Sequence, residues 1–572
     1  MADDSYSVPL QARKVFLEGI LSNSAHRNLP LSVADLANNI VFDGNDAPSM
    51  PMNWRFSEAV SALKALEATL VNAQLKRSTL SKPVQDRANL SYMGALLTRV
   101  DPDGANAQVP PALNKFIKDK DYHSALGSEH RRSATNFYRA KDGRYIYIHG
   151  GMNPDMTLTA LDLPLQGELK GAEVIKLFQD AVGRYDSDAL AKRMVEEFKQ
   201  AASVAYTTEQ YKSSRQGEAN AHVGLFEVHH IPDPSQKATW WPDSLSLPSA
   251  PQRPLAGLKV VDLTRVIASP TLTRNLAEYG ASVMRITASH ICDYSALHAE
   301  LNWGKWNSEL DLRNEADRET LRGLILDADV VVDGYRPFVL EKHGFGKDAI
   351  LKLIKDARRD RGIIYVRVNC FGWNGPWADR PGWQQISDAS TGIAMGFAKA
   401  MGLENGEAVI PLFPTADYCT GFAGSSGVIQ ALIEKSEKGG SYVVDCGNLA
   451  LNYFNRWLTE SCGEYPAEVW ENIRKLHHYP TFSPQDNLPG ISIRGIQLLM
   501  KNAPGRIVRP NWLEDRQSDA IGARVRTVKP IAEWEDNTDG SRGVQPGFNV
   551  GTRGNGVDAP RWPDNLLEEV IA

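Results

Sequence analysis

LKVVDLTRVIASPTLTRNLAEYGASVMRI, residues 258–286, carries the reading that decides the fold. Residues 258–263 (LKVVDL) form a short apolar run and predict a strand. Residues 271–279 predict a helix that Gly280 stops, and 282–286 (SVMRI) a second strand. The alternation continues downstream. RETLRGLILD is helical in pattern and leads into ADVVV at 328–332, a third strand. Residues 348–358 predict a helix, and 363–368 (IIYVRV) a fourth strand. Short apolar strands alternating with helices mean a parallel sheet covered on both faces. The fold class is therefore α/β: a doubly wound, Rossmann-like parallel sheet as the large domain, beside a smaller α+β domain.

In a dinucleotide enzyme the turn after the first strand carries G-x-G-x-x-G, so that backbone can approach a pyrophosphate. Here residues 264–270 read TRVIASP, with no glycine, which argues against a nicotinamide or flavin site. GTRGNG at 551–556 follows no strand and opens no helix, so it reads as a loop. No G-x-x-x-x-G-K-[ST] occurs, which excludes a P-loop kinase or ATPase.

The chain has 572 residues, enough for several domains, with 42% hydrophobic and 23% charged residues, an ordinary globular composition. It holds 63 Lys and Arg against 69 Asp and Glu, a net charge of −6. That argues against nucleic acid or anionic lipid as the main partner. Five cysteines (292, 370, 419, 446 and 462) are odd in number and lack C-x-x-C spacing, so neither a disulfide framework nor a cysteine zinc site is expected. No apolar run is long enough to span a membrane. MADDSYSVPL lacks a secretory or transit pattern, and EEVIA is not a peroxisomal address. The expectation is a reduced, cytoplasmic protein.

Outside the sheet, residues 54–74 predict a helix from apolar residues at Val60, Leu63, Leu66 and Leu70. NFYRAKDGRYIYIHGG predicts a hairpin turning at Asp142–Gly143, followed by helices at about 172–182 and 186–202. Residues 231–257 are dense in Pro and Ser and read as a linker. The last hundred residues show neither period. The expected division is a helical remnant of a first large domain at 1–130, a small α+β domain at 131–230, the linker at 231–257, the Rossmann-like large domain at 258–455, and an irregular segment at 456–572 packed on that domain.

PLAGLKVVDLTRVIASPTLTRNLAEYGASVMRI resembles the opening of the class III coenzyme A transferases. NWGKWNSELDLR (302–313), ADVVVDGYRPFVLEKHGFG (328–346), IIYVRVNCFGWNGPWADRPGW (363–383) and PTADYCTGFAGSSGVIQAL (414–432) resemble later segments of that family in order. The likeness is strong over about 254–450 and implies an enzyme of the formyl-CoA/carnitine-CoA transferase type. On this resemblance the catalytic residue is Asp417, whose carboxylate attacks an acyl-CoA thioester. The glycines after it (Gly421, Gly424, Gly427) would let backbone amides approach the oxyanion. The same aspartate also suits a helix N-cap. CoA binding falls by resemblance on Val266, Ile267, Arg285, Ala288, Tyr335, Arg336 and Lys342. The implied reactants are an acyl-CoA and a carboxylic acid acceptor, with CoA as substrate and covalent intermediate rather than a resident cofactor. An interlocked homodimer is implied as well.

Several residues depart from the family pattern. Thr287 replaces a glutamate, and Phe338 stands where "RPG" has its glycine. The histidine slot of the related racemases holds Trp383, beside Gln384, which argues against racemisation and for a pocket wall or core. The 54–74 helix and DRANLSYMGALL (86–97) resemble the segments from 417 to 455, a truncated internal repeat. Its catalytic slot falls in 51–55, which holds no carboxylate; Asn53 is a relic or a turn residue. A CoA-dependent lyase and a non-catalytic acyl-CoA-binding protein are the alternatives. His229–His230 and His477–His478 lack metal-site spacing, and no metal is expected.

Overall fold

The computed structural model describes residues 6–26, 28–76, 81–83, 85–104, 106–109, 111–242, 252–444, 449–507, 509–536 and 542–568. Residues 243–251 of the expected linker, Cys446 and both chain ends lie outside them.

Helix α1 (Phe56–Leu75) is buried along nearly its whole length. Covered on every side, it runs through the core. Its three charged residues are all partnered: Lys64 Nζ lies 2.5 Å from Glu67, and Glu58 accepts from the Tyr6 and Tyr465 hydroxyls. The hairpin forms as expected: β1 (Asn136–Arg139) and β2 (Tyr145–His149) pair antiparallel, with Gly143 at φ +84 in the turn. A third strand, β3 (Ala201–Val204), adds to β2. This corrects the helix expected over 186–202, which stops before residue 200. Lys199 takes a left-handed conformation (φ +56) that turns the chain, and Ala-Ala-Ser-Val then pairs along the free edge of β2.

Seven strands make the main sheet: β4 (His229–Ile231), β5 (Lys259–Leu263), β6 (Ser282–Thr287), β7 (Lys305–Glu309), β8 (Val330–Asp333), β9 (Ile364–Arg367) and β10 (Ser441–Val444). Their spatial order is β4-β10-β9-β8-β5-β6-β7. All pairings are parallel except β4 on β10. Counted from β5, the six parallel strands follow the 3-2-1-4-5-6 order of a doubly wound sheet. Successive residues divide between the two faces. Val260, Val283, Val330 and Ile364 join α1 in the larger core, while Val261, Met284, Val331 and Tyr365 join the core beneath the opposite helices.

Helix α2 (Ala268–Glu278) follows β5. Helix α3 (Gln384–Thr391) precedes the 24-residue α4 (Thr415–Lys438), and α5 is Leu451–Trp457. The glycines of α4 let helices approach. A Cβ on Gly421 would stand 2.6 Å from Thr271 Cβ, and one on Gly424 2.4 Å from Leu272 Cδ1. Inside a helix their amides bond to carbonyls four residues back. The oxyanion role expected of them gives way to packing of α4 on α2.

The last hundred residues are more regular than their sequence suggests. They hold helix α6 (Leu488–Asn502) and the antiparallel pair β11 (Leu513–Ser518) and β12 (Ala523–Val528). In ARVRTV the alternation is present, with Val525 and Thr527 buried and the arginines outward. Five charged residues in the pair hide it from an apolar scan. Beyond them Asp558 accepts a hydrogen bond from the Asn307 amide, covering the open edge at β7.

Candidate active site

Ligands of open α/β sheets bind at the carboxyl ends of the strands, where the strand order reverses. Here that point lies between β5 and β8. A cavity of about 390 Å³ opens there, bounded by the segments after β5 (265–269), β8 (334–337) and β9 (368–370). The loop 380–383 and Asp417 complete its large-domain wall, and residues 150–153, after β2, close it from the small sheet of the same chain.

Asp417 is the third residue of α4, and the N-cap position belongs to Pro414. The capping role therefore falls to neither its side chain nor its position. Burial, and then the Asp388 carboxylate, push the Asp417 carboxyl up to about 8. Asp388 lies on α3, is fully buried, and is itself pushed up to about 7 by burial. It accepts hydrogen bonds from Asn455 Nδ2 at 2.9 Å and Gln384 Nε2 at 2.8 Å. The Cys370 thiol borders both acids, and burial and their charges hold it well above its usual value. Two carboxyls facing each other without a cation resist double ionisation.

The expected CoA contacts divide. Val266, Ile267, Tyr335 and Arg336 line the cavity with Asp417. Ala288 lines a second, smaller cleft of about 60 Å³ on the other side of Tyr335, at the ends of β5, β6 and β7. Arg285 reaches neither. It is 1% exposed, its guanidinium 2.6 Å from Asp293, with further bonds to Asn307, Asn555 and the Thr264 carbonyl. A guanidinium buried inside the sheet against an aspartate is a structural ion pair. Lys342 is exposed on the short helical turn Glu341–His343 and borders neither hollow.

Two cations that the sequence reading passed over stand in the cavity wall. Arg265 lies over the Tyr335 ring at 5.2 Å and donates to the Cys292 carbonyl at 2.7 Å. Arg380 lies over the Trp377 ring at 5.3 Å. Both occupy turns at strand or helix ends, the one signal that could have marked them. Trp383 lines the cavity as a wall, as expected. Val266, β-branched, holds φ +72, a backbone state rare for such residues and concentrated at working sites.

Other motif residues prove structural. Asp262, from LKVVDL, and Lys305, from NWGKW, form a fully buried ion pair at 3.1 Å that ties β5 to β7. Asn53 is buried and donates to the Gly396 carbonyl at 3.3 Å. The paired histidines are also occupied: His230 stacks on Tyr442 at 4.8 Å, and His477 Nε2 lies 2.7 Å from the Ser49 carbonyl. Among the described residues no helix is long and apolar enough to cross a membrane.

The profile of CoA-transferase family III matches residues 255–533. An acetyl-coenzyme A transferase from Hypoxylon pulicicidum is 45% identical over 99% of this chain and 95% of its own. The chain belongs to CoA-transferase family III. An acyl-CoA transferase from Gibberella moniliformis is 30% identical over 87% of both chains. A crystal structure of a CAIB/BAIF family protein from Brucella suis is 26% identical over 36% of this chain and 56% of that one, with a TM-score of 0.31. The family membership accounts for the ordered motifs, and the structure separates those that hold the sheet together from those that border the cavity.

Proposed function

We propose that this family III member transfers CoA from an acyl-CoA donor to a carboxylic acid acceptor through a covalent intermediate on Asp417. The observation that carries this reading is a carboxyl in the cavity wall with no cation beside it among the described residues and its ionisation delayed to about 8. A desolvated carboxylate without a strong partner is a capable nucleophile. One Asp417 oxygen attacks the thioester carbonyl, the C–S bond breaks, and CoA thiolate leaves an aspartyl anhydride. The thiolate then attacks the aspartyl carbonyl, which frees the donor acid and leaves an aspartyl-CoA thioester. The acceptor carboxylate attacks that thioester, and the same steps run in reverse. Thioester energy is conserved throughout.

The cavity supports the placement of the reactants. Arg265 and Arg336 suit the pyrophosphate of CoA, and the Ala288 cleft, bordered by His343 and Arg313, suits its adenosine. The shared wall is Tyr335. The chain would act as a homodimer, although small-sheet and large-sheet walls already come from one chain.

Exchange of labelled acetate into acetyl-CoA tests the reading. Wild-type protein is expected to catalyse exchange with ping-pong kinetics, and Asp417→Asn to abolish it while still binding CoA. Exchange that survives in Asp417→Asn rules out the aspartyl route.

A further inference from the structure

Residues 336–339 (Arg-Pro-Phe-Val) close a tight turn, the Val339 amide donating to the Arg336 carbonyl at 3.2 Å. Proline is its second residue and Phe338 its third, at φ +67. A turn with proline second and positive φ third is the kind that calls for glycine at the third place. Here that place holds a bulky aromatic, and its side chain is 52% exposed. Folding therefore gains little from the ring and bears the strain of its backbone. Strain of this kind persists where the side chain serves something other than packing.

The turn also has a particular location. Tyr335, Arg336 and Pro337 line the main cavity, while Tyr335, Val339 and Leu340 line the cleft of about 60 Å³. Phe338 thus sits on the ridge between the two hollows. A ligand with its reactive end beside Asp417 and its nucleotide in the cleft must cross that ridge. At about 60 Å³ the cleft is too small to enclose a whole nucleobase, so part of the base stays outside it, where an aromatic ring can stack upon it.

We infer that Phe338 is a coenzyme-contact residue, packing its ring against the nucleotide portion of the acyl-CoA as it crosses the ridge. The inference rests on the reading of the site as an acyl-CoA site. Phe338 is here a specificity-determining residue: it favours nucleotide-bearing thioesters over truncated ones.

The test compares acetyl-CoA with acetyl-pantetheine, which lacks the nucleotide, on wild-type protein, Phe338→Gly and Phe338→Trp, by calorimetric binding and thermal unfolding. The expected result for Phe338→Gly is a higher Tm, from relief of the turn, with acetyl-CoA binding weakened about five- to tenfold and acetyl-pantetheine unchanged. Phe338→Trp should bind acetyl-CoA at least as tightly as wild type. A lower Tm with unchanged acetyl-CoA affinity would assign Phe338 to packing and overturn the inference alone. Equal weakening toward both probes would overturn it too, because the contact would then not be with the nucleotide. Failure of wild-type protein to bind acetyl-CoA would overturn the inference together with the site reading beneath it.

Discussion

The His149 imidazole lies flat on the Trp383 indole, ring centroids 5.0 Å apart and planes 8° from parallel. His149 ends the middle strand of the small sheet, and Trp383 precedes the helix that carries Asp388. The stack therefore joins the two sides of the cavity. Its imidazole is neutral, pushed down to about 3 by burial, and its Nδ1 accepts the Gly151 amide at 2.8 Å. One side chain thus holds both the tryptophan wall and the glycine loop. Trp383→Ala should remove a stack worth about 0.5–1.5 kcal/mol and lower kcat/KM in acetate exchange at least tenfold. Trp383→Phe should recover most of that loss. Equal rates in all three proteins would show that the wall has no part in catalysis.

The carboxyl pair sets a pH dependence. On the proposed route Asp417 must ionise to attack, and its carboxyl is pushed up to about 8. Exchange should rise about tenfold per pH unit below that value and level off above it. The titratable groups around Asp388 are Asp417, Cys370 and Tyr147. Removing the Asp388 charge takes away a repulsion, so Asp388→Asn should move the acid limb to lower pH. The asparagine oxygen can still accept from Asn455 or Gln384. An unmoved limb in a pH–rate profile would show that the two carboxyls are not coupled.

The same shift has a cost in stability. The folded state keeps the Asp417 proton up to about 8, while an unfolded aspartate releases it near 3.8. The folded state therefore binds more protons between those values, and stability falls as pH rises through that window. Asp417→Asn should raise Tm by a few degrees at pH 8 and by much less at pH 5. Thermal unfolding at the two pH values measures the difference; an equal change at both would mean that the carboxyl is not strained by its site.

Arg285 and Arg265 should separate cleanly. Arg285→Ala leaves Asp293 buried without its arginine, with His298 and Asn555 beside it, and should destabilise the protein by about 3–5 kcal/mol. Arg265→Ala should leave stability within about 1 kcal/mol and raise KM for acetyl-CoA. Denaturant unfolding and exchange kinetics on the two variants distinguish the roles. A raised KM with unchanged stability in Arg285→Ala would return that residue to the coenzyme site.

The sheet was legible because its strands are buried on both faces: apolar runs such as residues 258–263 and 330–332 need no partner to be recognised. The strand at residues 305–309 (KWNSE) was not, because its polar residues are satisfied only in three dimensions, Lys305 by Asp262 and Asn307 by Arg285. The motif marked Asp417, which lines the cavity. Asp388 was not marked, since its significance arises from facing Asp417 across 29 residues of chain. Arg285 misled for the converse reason: a basic residue at a strand's end looks available until the aspartate eight residues on is folded against it.

The central claim is the covalent link to Asp417. The most direct measurement is peptide mass spectrometry after incubation with acetyl-CoA and hydroxylamine, which converts aspartyl anhydrides and thioesters to a hydroxamate. A hydroxamate on the peptide bearing Asp417, absent without acetyl-CoA and absent in Asp417→Asn, is the expected result. Acetate exchange proceeding at full rate with no hydroxamate at Asp417, or with one on another carboxylate, would contradict it.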